Sequence, residues 1–136
     1  MRPVGAGYPA YRLAVGREDD PAAAIVVADY LTGAGNPAGA VDRLRRSLDA
    51  ISDSDSSTRD ALELRIGEAQ AAAGEHKAAC KTYERVIERA AGPETRGRAL
   101  VGLVRAERQR GREARAEAAL ARLREEFPGL AETSGL

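Results

Sequence analysis

His76 and Cys80 stand one helical turn apart and are the chain's single histidine and single cysteine. A thiol beside an imidazole is the arrangement of a nucleophile and its base. Nothing nearby orients the imidazole, however, and no oxyanion-stabilising site accompanies the pair. Cys80 falls on the packing side of a patterned helix, so a packed free thiol is the expected state. One cysteine makes no intrachain disulfide, and one cysteine with one histidine is too few ligands for a structural zinc. The arginines raise a second possibility. Arg98, Arg105, Arg108 and Arg112 fall on one helical face within a stretch that also holds Arg96, Arg110 and Arg115. Glu107, Glu113 and Glu117 interleave with them, and no aromatics accompany them for base stacking. A solvated face is the better reading, and an anchor for an acidic peptide or a C-terminal carboxylate comes next. Carboxylates are numerous but lie on exposed helix faces, and no glycine-rich phosphate loop follows a strand. The chain is therefore expected to have no enzymatic activity, cofactor or metal.

The elements that position these residues are helical. Asp20 can cap a helix that starts at Pro21. From Pro21 to Ala34, Ala23, Val27 and Tyr30 form one stripe and Ala24, Ala28 and Leu31 another. Gly33-Ala-Gly35-Asn-Pro37 breaks the pattern. A second helix, about Ala38 to Ile51, turns Ala40, Val41, Leu44, Leu48 and Ile51 inward. A Ser/Asp linker follows, in which Ser57 and Asp60 fit a capping box. The third helix is expected over Thr58 to Ala73, with Leu62, Ile66, Ala69 and Ala73 as its stripe. The fourth follows Gly74 and carries Ala79, Tyr83, Val86, Ile87 and Ala90. The fifth, about Glu94 to Arg110, buries Ala99, Leu100, Leu103, Val104 and Ala106. The sixth, about Glu113 to Phe127, buries Ala116, Leu120, Leu123 and Phe127. Pro128-Gly129 is read as a stop. No capping helix is expected beyond it, which leaves an end face open to a second copy.

These helices repeat in pairs. The turn glycines Gly35, Gly74 and Gly111 are 39 and 37 residues apart. Five residues after each is an alanine: Ala40, Ala79 and Ala116. Four further on is a large residue: Leu44, Tyr83 and Leu120. Eight before each glycine is an aliphatic: Val27, Ile66 and Leu103. The alanine lets the second helix press on the first, and the large residue fills the space one turn on. Such pairs bury their faces by stacking, and three are about the minimum for a stable array.

The outline of Gly67, Gly74, Ala79 and Tyr83, met again in the other two pairs, resembles the tetratricopeptide repeat, a helix–turn–helix unit of about 34 residues. The resemblance covers residues 21–130, as repeats 21–54, 58–93 and 94–130, with residues 1–20 as an N-terminal segment and 131–136 as a tail. It implies an all-α, right-handed superhelical stack of about six helices; a generic helix-hairpin bundle is the alternative. The sequence departs from the family pattern where aromatics are usual: Ala24, Glu63 and Leu100 early in the first helices, and Leu31, Gln70 and Glu107 one position set later. The closing proline is present only as Pro128.

The resemblance further implies a protein-interaction module whose concave face is lined by the first helix of each pair. Carried over residue by residue, that face holds Ile25, Leu64 and Val101 as an apolar floor. Asp29, Glu68 and Arg105 make a second row, and Thr32, Ala71 and Arg108 a third, with Arg98 one step below Val101. Acidic walls are expected early and basic walls late, and a partner's peptide or helix would lay apolar anchors on the floor. The family's carboxylate clamp of Lys, Asn and Arg is not met, since Ile25, Asp29 and Gly102 stand at the matching positions. Tyr8, Tyr11, Leu13 and Val15 are expected either to cap the first repeat or to occupy the groove. A homodimeric assembly element is one alternative function. An accessory domain of a multi-component enzyme or transcription regulator is another.

The totals agree with this class. The chain is 43% hydrophobic and 31% charged, a soluble globular balance that argues against disorder. Lys plus Arg and Asp plus Glu are equal at 21 each, so no net charge draws it to nucleic acid or membrane. Lys77 and Lys81 are its lysines, an arginine bias expected of a GC-rich bacterial coding sequence. The start at Met1 favours a stand-alone protein. No signal-peptide core follows it, and the longest apolar run, Ala22 to Ala28, is short of a membrane span. A cytoplasmic location is expected.

Overall fold

The computed structural model describes residues 20–51, 55–89 and 92–136. Among the described residues seven helices follow one another: α1 Pro21–Gly33, α2 Pro37–Ala50, α3 Ser56–Ala72, α4 His76–Arg89, α5 Pro93–Gln109, α6 Glu113–Glu126 and α7 Pro128–Thr133. No strand occurs among the described residues. The expectations for Tyr8 to Val15 and for Ala90 fall outside them.

Helix starts follow from capping chemistry. Asp20 accepts from the Ala22 amide at 3.0 Å and Asn36 from the Gly39 amide at 3.1 Å, each with a proline at the first helical position. The capping box expected at Ser57 and Asp60 does not form. Asp55 caps α3 instead, accepting from the Thr58 amide at 3.2 Å, because the helix starts two residues earlier than expected, at Ser56. Asp60 is thereby carried into the interior at 6% exposure. The three turns are alike. Gly35, Gly74 and Gly111 take φ of 86°, 82° and 74°, where a side chain would be strained. In each, the amide after the glycine closes on a carbonyl five residues back: Asn36 on Leu31 at 2.8 Å, Glu75 on Gln70 at 2.9 Å and Arg112 on Glu107 at 2.9 Å.

Each helix packs on its chain neighbours, and α1 also packs on α3, and α3 on α5. The first helices of the pairs thus form one layer and the second helices another. Among the described residues α1 packs on no helix beyond α3 to any extent, so the array is an open stack and not a closed bundle. The repeated positions account for the close approach: Ala40, Ala79 and Ala116 are fully buried, and Leu44, Tyr83 and Leu120 fill the space beside them at 2% exposure or less. Each fully buried leucine contributes about 1.5–3 kcal/mol, against roughly 0–1 for an exposed ion pair, so apolar stacking holds the fold.

Two readings need correction. Tyr30, placed on the packing stripe of α1, is 47% exposed, because among the described helices α1 packs on α2 and α3, and the ring lies off those contacts. Pro128 opens α7 and does not simply end α6. Leu130, Ala131 and Leu136 then pack on the core of the last two repeats, so the last repeat is covered by a short helix where an open end was expected.

Where the family pattern carries aromatics, this chain buries paired polar groups. Glu63 meets Arg89 at 2.6 Å and Arg85 at 3.4 Å. Gln70 accepts from the Thr82 hydroxyl at 2.7 Å, and Glu107 lies 3.3 Å from Arg110. These pairs satisfy carboxylates and an amide that the interior would otherwise leave unpaired at a cost of several kcal/mol, on the order of 3–5 for a charge.

Candidate binding groove

The exposed side of the α1–α3–α5 layer carries two depressions that meet at Glu68. The larger, about 450 Å³, lies between α3 and α5 and is closed at one end by the C-terminal segment. Ala71, Val101, Gly102, Ala106 and Leu130 give it an apolar floor. Glu68, His76, Arg98, Arg105, Gln109 and Ser134 form its rim, and Tyr83 reaches it from α4. The smaller, about 330 Å³, lies between α1 and α3 and is lined by Asp29, Thr32, Arg65 and Glu68 among others.

Of the residues assigned to this face from sequence, Glu68, Ala71, Arg98, Val101 and Arg105 come together in the larger depression, and Asp29 sits in the smaller. Three are elsewhere. Leu64 is 3% exposed and belongs to the core between α3 and α5, so it offers no floor to a partner. Ile25 is half-buried against the first-repeat core and lines neither depression. Arg108 turns toward α6, where its guanidinium lies 3.6 Å from Glu117.

The walls are not acidic early and basic late, because the charges pair across repeats. Arg65 of α3 reaches back to Asp29 of α1 at 2.6 Å, and Arg98 of α5 reaches back to Glu68 of α3 at 2.7 Å. Arg65 and Glu68 complete the ladder at 3.8 Å. Three more arginines of the late stretch are also engaged: Arg96 with Glu126 at 2.6 Å, Arg105 with the Ser134 carbonyl at 3.0 Å, and Arg110 with Glu107. Arg96 also donates to the Ile87 carbonyl. The Arg96 guanidinium holds the Glu126 carboxyl below its ordinary range.

His76 and Cys80, one helical turn apart on α4, have different surroundings. His76 borders the groove, with its Nδ1 buried and unpaired. Cys80 is 1% exposed in the core, and burial pushes its thiol pKa up, so little thiolate forms and no substrate reaches it.

A family model, Tetratricopeptide repeat, matches residues 60–92 and 98–129, the second and third helix pairs. These two helix pairs are tetratricopeptide repeats. No curated protein and no solved structure matches it. Tetratricopeptide repeats are, as a rule, non-catalytic modules of protein–protein interaction, and no described helix here is long and apolar enough to cross a membrane. The first pair, Pro21 to Ala50, lies outside the match but has the same turn as the matched tetratricopeptide repeats and seats on the second through α3.

Sequence reasoning missed part of the groove. Tyr83 was read as pure core filler, and Gly102 and Leu130 were not read as groove residues. The signal for Gly102 was present: it follows Val101 on the exposed side of α5, where a glycine admits a ring from the next layer.

Proposed function

We propose that the chain is a non-catalytic adaptor whose concave face, formed by α1, α3 and α5, holds a peptide or helix of a protein partner. The observation that carries this reading is the 450 Å³ depression with an apolar floor and polar rim on that layer. An aliphatic side chain seated on Ala71, Val101 and Leu130 gains about 1.5–3 kcal/mol before ordering costs, so two or three anchors support reversible binding and not permanent assembly. Apolar stacking fixes the spacing of the three helices, so the face is formed before the partner arrives, which lowers the ordering cost.

The test is selection of peptides from a random display library on the full chain, followed by titration of the selected peptides. Val101→Glu and Ala71→Glu are expected to weaken binding at least about tenfold, as a lost apolar anchor of that size implies. Both residues are half-buried at the surface, so thermal unfolding should move little. Ala121→Glu, on the exposed side of α6, should bind as wild type. Full affinity in both groove variants would contradict the reading.

A further inference from the structure

Tyr83 belongs to the second-helix layer, yet its ring passes between α3 and α5 to the other side. Two glycines let it through. A Cβ at Gly67 would stand 2.9 Å from the ring, and one at Gly102 only 2.4 Å from Cζ, the carbon that bears the hydroxyl. The hydroxyl end therefore lies at Gly102, on the wall of the larger depression.

The residue is 2% exposed, but its hydroxyl makes no hydrogen bond to any described protein group. It is also not sealed in. The buried unpaired side-chain atoms among the described residues are Ser47 Oγ and His76 Nδ1. Buried tyrosine hydroxyls ordinarily find a partner, and phenylalanine would fill the same space without needing one. What remains is a donor held rigidly by packing and open to the groove.

Its electrostatic setting selects the acceptor. Burial, more than the nearby Glu68, pushes the phenol's pKa up, so it stays a donor across the physiological range. Arg98 and Arg105 are close enough to act on it. Arg98 is held by both oxygens of Glu68, at 2.7 and 2.8 Å, while Arg105 has a backbone carbonyl, that of Ser134. Two guanidinium groups thus face one carboxylate across the depression.

We infer that Tyr83 is the recognition group of the groove: its hydroxyl, with Arg105 beside it, takes a carboxylate oxygen of a peptide whose neighbouring aliphatic side chain rests on Val101 and Leu130. This rests on the concave-face reading above. The carboxylate comes from an acidic side chain or from a peptide C-terminus, which share this chemistry.

Fluorescence titration of a library-selected peptide tests it with Tyr83→Phe and Arg105→Gln. Each should weaken binding about tenfold, the scale of one hydrogen bond to a charged group. The urea midpoint of Tyr83→Phe should stay at the wild-type value, because the lost hydroxyl has no protein partner. Two peptide arms separate the sources: an acid-to-amide change in the side chain, and amidation of the C-terminus. Loss in one arm assigns the carboxylate to it. Wild-type affinity in Tyr83→Phe, or no loss in either arm, overturns the inference. If Val101→Glu still abolishes binding in that case, the groove stands and only the Tyr83 assignment falls.

Discussion

Tyr83 sets how closely α3, α4 and α5 approach one another. It is clamped between two backbone surfaces, so its environment tolerates neither a smaller ring nor a larger neighbour. Gly102→Ala places a methyl group against Cζ, and the ring cannot withdraw because Gly67 lies close on its other side. Overpacking of this kind costs about 1–3 kcal/mol, and replacing a helical glycine returns roughly 0.5–1, so a net loss of about 1–2 kcal/mol is expected. Urea unfolding of the variant measures it, and an unchanged midpoint would show that the ring has room to move. The position of Tyr83 was legible because its spacing from Gly74 and Ala79 recurs in all three pairs. The role of Gly102 was not, since periodicity tracks apolar side chains and a glycine joins a packing pattern only through the neighbour that fills its space. Leu64 shows the reverse case: the sequence pattern puts it on the open face of α3, but it is buried in the core with residues of α5, which a single helix's pattern does not reveal.

Between elements, polar contacts join α3 to its neighbours on both sides. On one side is the ladder through Asp29, Arg65, Glu68 and Arg98. On the other, Asp60 and Glu63 face Arg85 and Arg89 of α4. Asp60 is the uncomfortable member. Burial raises its pKa above the ordinary 3.8, and the 3.7 Å contact with Arg89 does not make up the difference. Ionising Asp60 therefore costs more in the folded chain than in the unfolded one. Its contribution to stability is present below 3.8 and is lost as pH rises through the raised value. Asp60→Asn should accordingly be more stable than wild type at neutral pH, and the gap should close as pH falls below 3.8. Denaturation midpoints at the two pH values check this, and a less stable variant at neutral pH would mean that the pairing with Arg89 outweighs burial. This network was hidden in the sequence because Asp60 also suits a helix start. The cap fell to Asp55 instead, and only the fold brings Asp60 to α4.

At the scale of the molecule, the regular part of the architecture was written in the turn glycines and the alanines that follow them, which is why the pairs, their order and their stacking were legible. The C-terminal segment was not. A proline after a helix serves equally as a stop or as the first residue of a new one, and here Pro128 does the latter. That segment matters to function, because Leu130 and Ser134 close one end of the groove. Groove charge was misread for a related reason. Residues one repeat apart lie side by side in a stack, so acidic and basic positions that look segregated along the chain neutralise one another across it.

A partner that binds this protein is expected to touch the face made by the first helices. Backbone amide NMR of the full chain, titrated with a library-selected peptide, locates the contact. Shifts are expected at Glu68, Ala71, Val101, Gly102, Arg105 and Leu130, with the outward faces of α2, α4 and α6 unmoved. Shifts gathered on those outward faces, with the groove residues unmoved, would contradict this.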